Sequence, residues 1–160
     1  MNRALRTARV RRARAEDAAG ILALEQHFPG DRMSARSVRH LLRAASACVR
    51  VACLDGAVVG AVILLLRRNS RWARIYSVAV DPRWRGLGIG RRLVLAAEAD
   101  ARRLGRDGVT LEVREDNAAA RALYENLGYR IDAVLPGYYE DGAPGIRLRK
   151  PFAPPLRSGR

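Results

Sequence analysis

Residues 81–105 read DPRWRGLGIGRRLVLAAEADARRLG, with Gly86, Gly88 and Gly90 at alternate positions between an apolar stretch and a helical pattern. Glycines so placed leave backbone amides unhindered at the start of a helix, where aligned N–H donors and the helix dipole attract phosphate. The chemistry this predicts is binding of a diphosphate-bearing ligand. A tight strand-to-helix turn that uses its glycines only for conformational freedom is the competing explanation. Two nucleotide-binding patterns are excluded. The dinucleotide fingerprint needs a third glycine three positions after the second, where Arg91 stands, and a Walker A loop needs a Gly-Lys-Ser/Thr that is absent.

The elements that must position this turn alternate along the chain without repeats. ARVRRA (8–13) predicts a first strand, and AEDAAGILALEQHF (15–28) a helix with acidic residues in its first turn, ended by Pro29-Gly30. Ser34 is the expected N-cap of a second helix whose Val38, Leu41 and Leu42 recur at helical spacing. CVRVACL (48–54) and AVVGAVILLLRR (57–68) flank Asp55-Gly56, a pair that tolerates positive φ and signals a hairpin. With RWARIYSVAV (71–80) they predict three consecutive antiparallel strands. After the glycine segment follow a helix ended by Gly105, a strand VTLEV (109–113), a helix over 118–127 ended by Gly128, and a strand pair around YRIDAVL and GIRLRK. Residues 1–150 are expected to form one domain and the Pro-rich 151–160 a loose tail.

Arg85-Gly86-Leu87-Gly88-Ile89-Gly90 matches the Q/R-x-x-G-x-G/A motif of the GNAT N-acetyltransferase superfamily, and the order of elements over about residues 8 to 150 resembles the plan of that family. The resemblance implies a mixed α/β fold, with a mostly antiparallel central sheet flanked by helices. It implies acetyl-CoA as co-substrate, its pyrophosphate held by the backbone from Gly86 to Arg91 beside Arg85. Its pantetheine arm would pair with Val78, Ala79 and Val80 in a gap where the fourth and fifth strands splay apart.

LEVREDNAAARALYENLGY (111–129) is similar to the signature of the ribosomal-protein alanine N-acetyltransferase subgroup. That likeness implies Glu112 as general base, acting directly or through water, Tyr124 as general acid for the departing thiolate, and Asn117 as a cofactor contact. The chemistry agrees, because an ammonium must lose a proton before it attacks a thioester and a thiolate leaves more easily beside a phenol. Structural roles compete: Glu112 alternates with Leu111 and Val113 as a surface residue would, Tyr124 shares a helical face with Leu123 and Leu127, and Asn117 is placed to N-cap the helix. PGYYEDGAPGIRLRK (136–150) is similar to the YYxDGxDAxxM segment of protein Nα-acetyltransferases, which implies Tyr138 and Tyr139 beside a peptide N-terminus. Ala143-Pro144-Gly145 and Leu148 depart from that pattern, and a hairpin with two packed tyrosines explains the same residues.

Composition bounds the remaining classes. A chain of 160 residues, 49% hydrophobic, suits one compact core, and it has neither an 18-residue apolar run nor a secretory apolar region near its start, so no membrane partner is expected. The net charge of +14 comes from arginines scattered from Arg3 to Arg160, with Lys150 the only lysine, so no specific nucleic-acid partner is expected. Cys48 and Cys53, five apart in one strand, point to opposite faces and fit a reducing cytoplasm. His27 and His40 form no ligand cluster, and no metal is expected. The expected activity is acetyl transfer to a primary amine, first a peptide or protein α-amine. A small-molecule amine, a lysine side chain or a non-catalytic acyl-CoA-binding module are the alternatives, in a monomer or homodimer.

Overall fold

The computed structural model describes residues 7–28 and 33–153. Seven strands form one sheet: β1 (Arg9–Arg12), β2 (Ala47–Leu54), β3 (Ala57–Leu66), β4 (Trp72–Val80), β5 (Gly108–Arg114), β6 (Arg130–Leu135) and β7 (Gly145–Pro151), in the spatial order β1-β2-β3-β4-β5-β7-β6. Four helices pack on it: α1 (Ala18–Glu25), α2 (Ala35–Arg43), α3 (Ile89–Arg103) and α4 (Ala118–Asn126). Every neighbouring strand pair is antiparallel except β4 and β5.

Burial explains the order. The run AVVGAVILLL of β3 is apolar on both faces, and β3 lies in the interior of the sheet with helices on either side. The short Arg-rich β1 takes an edge, where charge discourages pairing with another chain. On one face α3 buries Ile89, Leu93, Val94, Ala97 and Ala101 against the sheet, in a cluster that also holds Tyr124, Leu127 and Tyr129. On the other face α1 and α2 cover β2, β3 and β4 with Ile21, Leu24 and Val38. Cys48 joins the first cluster and Cys53 the second, so the two thiols do lie on opposite faces. Glu98, fully buried on α3, accepts from Lys150 Nζ (2.7 Å) and the Tyr129 hydroxyl (3.0 Å), which ties β7 to the helix layer. Burial, then the Glu98 charge, pushes the Tyr129 phenol far above its ordinary value.

Local signals act as expected at most boundaries. Asp55 and Gly56 both have positive φ (51° and 80°) in the two-residue hairpin turn. Ser34 accepts from the Ser37 amide, Asn117 accepts from the Ala120 amide, and Gly105 and Gly128 follow helix ends with φ of 73° and 97°. Two expectations are corrected. The helix predicted over 15–28 is a 3-10 turn (Ala15–Asp17) followed by α1, which stops at Glu25. Its predicted terminator, Pro29-Gly30, lies outside the described residues. The predicted tail begins too early: Pro151 completes β7, and Phe152 donates its amide to the Asp107 carbonyl (2.8 Å) beneath the Arg102 guanidinium. Residues 154–160 lie outside the described residues.

The join between β4 and β5 positions the site. Parallel pairing runs only from Trp72/Gly108 to Arg74/Thr110 and then stops. On its other side β4 carries a bulge, since Ile63 faces Ser77 and Leu64 faces Ile75, which leaves Tyr76 as the extra residue. A bulge bends its strand and raises the local twist. The bend falls where β4 leaves β5, so residues 75–80 and 111–114 open into a V.

Candidate active site

One arm of the V leads to the glycine turn. Asp81 is buried and accepts from the Arg83 amide (3.0 Å) and guanidinium (2.9 Å), and the guanidinium bond holds its carboxyl down at about 2. After the 3-10 turn Pro82–Trp84, Gly86 and Gly88 take φ of 78° and 76°, and a Cβ built at either would meet nothing within 4 Å. Gly88 is the N-cap of α3 and no side chain caps it, so the first-turn amides have no partner within the helix. Gly90 differs from the other two: a Cβ there would rest 3.7 Å from both Val80 and Leu123, an ordinary contact. Conformational freedom therefore accounts for two glycines, and the space in front of them is open. Leu87 is exposed, whereas Ile89 turns its side chain into the core and leaves only its backbone at the turn. Val78, Ala79 and Val80 pair with β3 through Val62, Ala61 and Gly60, and their other edge is free toward the V.

Inside the V lies a cleft of about 300 Å³, and Val78, Ala79, Glu112, Asn117, Tyr124 and Tyr139 all contribute to its wall. Tyr124 is 6% exposed, and burial pushes its phenol up to about 12, so at neutral pH the hydroxyl keeps its proton. Tyr129 holds the ring edge-on at 5.5 Å, and among the described residues no group hydrogen-bonds the hydroxyl. Asn117 spends its side-chain oxygen on capping α4 (3.1 Å) while its residue lines the cleft.

The cleft continues into a chamber of about 220 Å³ walled by Glu25, Arg74, Tyr76, Ser77, Glu112, Tyr138 and Tyr139 among others. Glu112 is not a free carboxylate. Its Oε2 accepts from Arg74 Nε at 2.9 Å, and its Oε1 faces Arg147 Nε at 3.5 Å. Neither arginine figured among the sequence candidates, because the partners sit on β4 and β7, 38 and 35 residues away. Glu25 was also missed. Burial pushes its carboxyl up, against hydrogen bonds from the Met33 amide and the Ser77 hydroxyl that lower it. One signal existed: Glu25 follows Ala18 and Ile21 at helical spacing, so a carboxylate occupies a position of the buried stripe. Tyr138 and Tyr139 meet edge-to-face at 5.1 Å. Their loop is fixed by a bidentate Arg114–Asp141 pair (2.7 and 3.2 Å), with the Arg114 guanidinium 5.1 Å above the Tyr139 ring. Among the described residues no group of three or more His, Cys, Asp or Glu could hold a metal ion, and no helix is long and apolar enough to cross a membrane.

Residues 13–129 match the model of the acetyltransferase (GNAT) family. The chain belongs to the GNAT acetyltransferase family. An uncharacterised N-acetyltransferase of Methanocaldococcus jannaschii is 39% identical over 106 residues, 64% of this chain and 65% of that protein. The ribosomal protein bS18-alanine N-acetyltransferase of Escherichia coli is 39% identical over 67 residues, 42% of this chain and 45% of its own length. The chain thus spans less than two thirds of these relatives. Ard1 of Thermoplasma volcanium superposes with a TM-score of 0.82 at 29% identity, over 92% of this chain and 99% of that one. The crystal structure of the E. coli bS18-alanine enzyme gives the same TM-score of 0.82, at 24% identity over 94% and 99% of the two chains, a likeness of fold. In this GNAT chain the uncapped start of α3, the free edge of β4 and the open V fit a diphosphate joined to an extended arm.

Proposed function

We propose that this GNAT chain moves the acetyl group of acetyl-CoA to the α-amine of a peptide or protein. The observation that carries the reading is the V itself. Its walls run from the free edge of β4, past a proton-bearing phenol, to a chamber with two carboxylates, and β4 leads on through Asp81 to the glycine turn at the start of α3. Acetyl-CoA supplies an acetyl thioester whose carbonyl carbon is open to a neutral amine. The amides from Gly86 to Arg91, with Arg85 beside them, hold its diphosphate, and the free edge of Val78, Ala79 and Val80 aligns its arm.

Proton traffic divides the remaining roles. An α-ammonium has a reference pKa of about 7.7 to 8, so the acceptor enters largely protonated and must lose one proton before it attacks. Glu112, oriented by Arg74 and Arg147 at its two oxygens, receives that proton, directly or through water, and releases it to solvent before the next turnover. Glu25, across the chamber, offers a second carboxylate whose raised value lies closer to the amine's and so suits the exchange. Tyr124 gives its hydroxyl proton to the sulfur as the carbon–sulfur bond breaks. Asn117 sets the start of α4 and with it the height of Tyr124 in the cleft. Tyr138 and Tyr139, in the chamber wall, flank the peptide, and the bS18-alanine N-acetyltransferase among the relatives favours a protein acceptor. The test is thiol release from acetyl-CoA with peptides of varied first residue, set against polyamines and aminoglycosides, each product read by mass spectrometry. Acetylation of small amines alone would overturn the acceptor assignment.

A further inference from the structure

The chamber shares three of its walls, Arg74, Glu112 and Tyr138, with a larger hollow of about 440 Å³ that extends over the neighbouring sheet surface. Four arginines line that hollow, Arg67, Arg74, Arg147 and Arg149, together with Glu112 and Asp132. Arg74 and Arg147 are committed to Glu112. Arg149 reaches Asp132 only at 3.6 Å, and both side chains are about 40% exposed (42% and 37%), a pairing of little energetic weight. Arg67 has no carboxylate partner among the described residues. Two positive charges are thus in excess beside a reactive chamber. Arg149 is also no freely waving surface side chain. Its guanidinium carbon lies 3.8 Å from the Trp72 ring centre, a stacking that holds the plane and leaves its N–H edges to bind.

Strand register supplies the distance. Glu112 faces Arg147, and Thr110, two residues back along β5, faces Arg149. Two residues of strand span about 7 Å, which is also the advance of an extended peptide over two residues. Resting on the peptide-acceptor reading above, we infer that the hollow is an anion subsite, which selects acceptors carrying a carboxylate side chain at the second or third residue. The carboxylate docks on Arg149 and Arg67 while the amine sits beside Glu112. Paired N–H donors of guanidinium match the two oxygens of a carboxylate, and no bond is made or broken there.

The experiment compares kcat/KM for peptides of one length beginning Ala-Glu-Glu, Ala-Ala-Ala and Ala-Lys-Lys, read by thiol release at several salt concentrations. The acidic peptide is expected to lead the neutral one by about tenfold and the basic one by more, a margin of about 1.4 kcal/mol. The lead should shrink between ~0.02 and ~0.5 M salt as the charges are screened. The double variant Arg67→Glu with Arg149→Glu should reverse the order of acidic and basic peptides. If that variant does not fold, the salt dependence of the parent decides alone. Peptides acetylated at equal efficiency whatever their charge overturn the subsite and leave the acceptor reading standing. Failure to acetylate any peptide, with small amines accepted, overturns both.

Discussion

The two ends of the V are built from different material. Toward the glycine turn the wall is main chain: amides at the start of α3, the free edge of β4, and glycines whose missing side chains make the space. Toward the chamber it is side chain, drawn from α1, β4, β5, β7 and the loop carrying Tyr138 and Tyr139. A main-chain wall accepts one ligand geometry and is indifferent to most substitutions around it, but a side-chain wall changes its guest with a single residue. On the proposed function, the first end would take a constant co-substrate and the second a selected acceptor.

The sharpest division should appear at Tyr124, which lies between the ends. Tyr124→Phe keeps the ring and its contact with Tyr129, so acetyl-CoA affinity by calorimetry should be unchanged while turnover falls roughly 10² to 10⁴-fold. Alkaline pH should not restore it, since no proton is supplied to the sulfur. A variant that turns over like the parent would remove the hydroxyl from the reaction. At the main-chain end, ligand at ~100 times its dissociation constant stabilises the parent by about 2.7 kcal/mol. For a domain of this size that is a rise of about 5 to 11 °C in Tm. Gly88→Val should lose that rise and pay roughly 1–3 kcal/mol for a left-handed φ of 76°. Gly90→Ala, whose Cβ meets only 3.7 Å contacts, should keep it. Equal behaviour of the two variants would mean that the turn is structural and the cradle assignment is wrong.

At the side-chain end, Glu112→Gln and Glu25→Gln should each cost about 10 to 100-fold in turnover near pH 7, and the loss should narrow near pH 9, where the amine is already neutral. If only one variant is rescued by alkali, that residue is the base and the other a positioning residue. The smallest effect expected is on stability, where the two ends carry opposite signs. Glu25 has a raised carboxyl value in the fold, so its stabilising contribution is complete below its ordinary 4.5 and is lost as pH rises through the folded value. Asp81 is held down to about 2, so its contribution is present above its ordinary 3.8 and is lost as pH falls through about 2. Melting curves from pH 2 to 8 should therefore show Glu25→Gln gaining on the parent with rising pH and Asp81→Asn converging with it near pH 2. Parallel curves for all three proteins would mean that these carboxyls are not perturbed as described.

What could be read from the sequence follows the same division. The Asp55-Gly56 hairpin, the Ser34 and Asn117 caps, the apolar stripe of α3 and the left-handed Gly86 and Gly88 are local events, fixed by residues within a few positions of one another. Few residue types satisfy them, so the sequence by itself determined the elements, most of their ends and the turn that faces the V. Three features were decided only by the tertiary structure. The chain returns β7 between β5 and β6, which brings Arg147 to Glu112. The bulge at Tyr76 opens β4 from β5. Burial of the last turn of α1 turns Glu25 from a helix-surface acid into a carboxylate of the chamber. Strand pairing depends on which distant segments compete for one edge, and a buried charge depends on partners gathered from every layer. Neither is carried by any short stretch of chain.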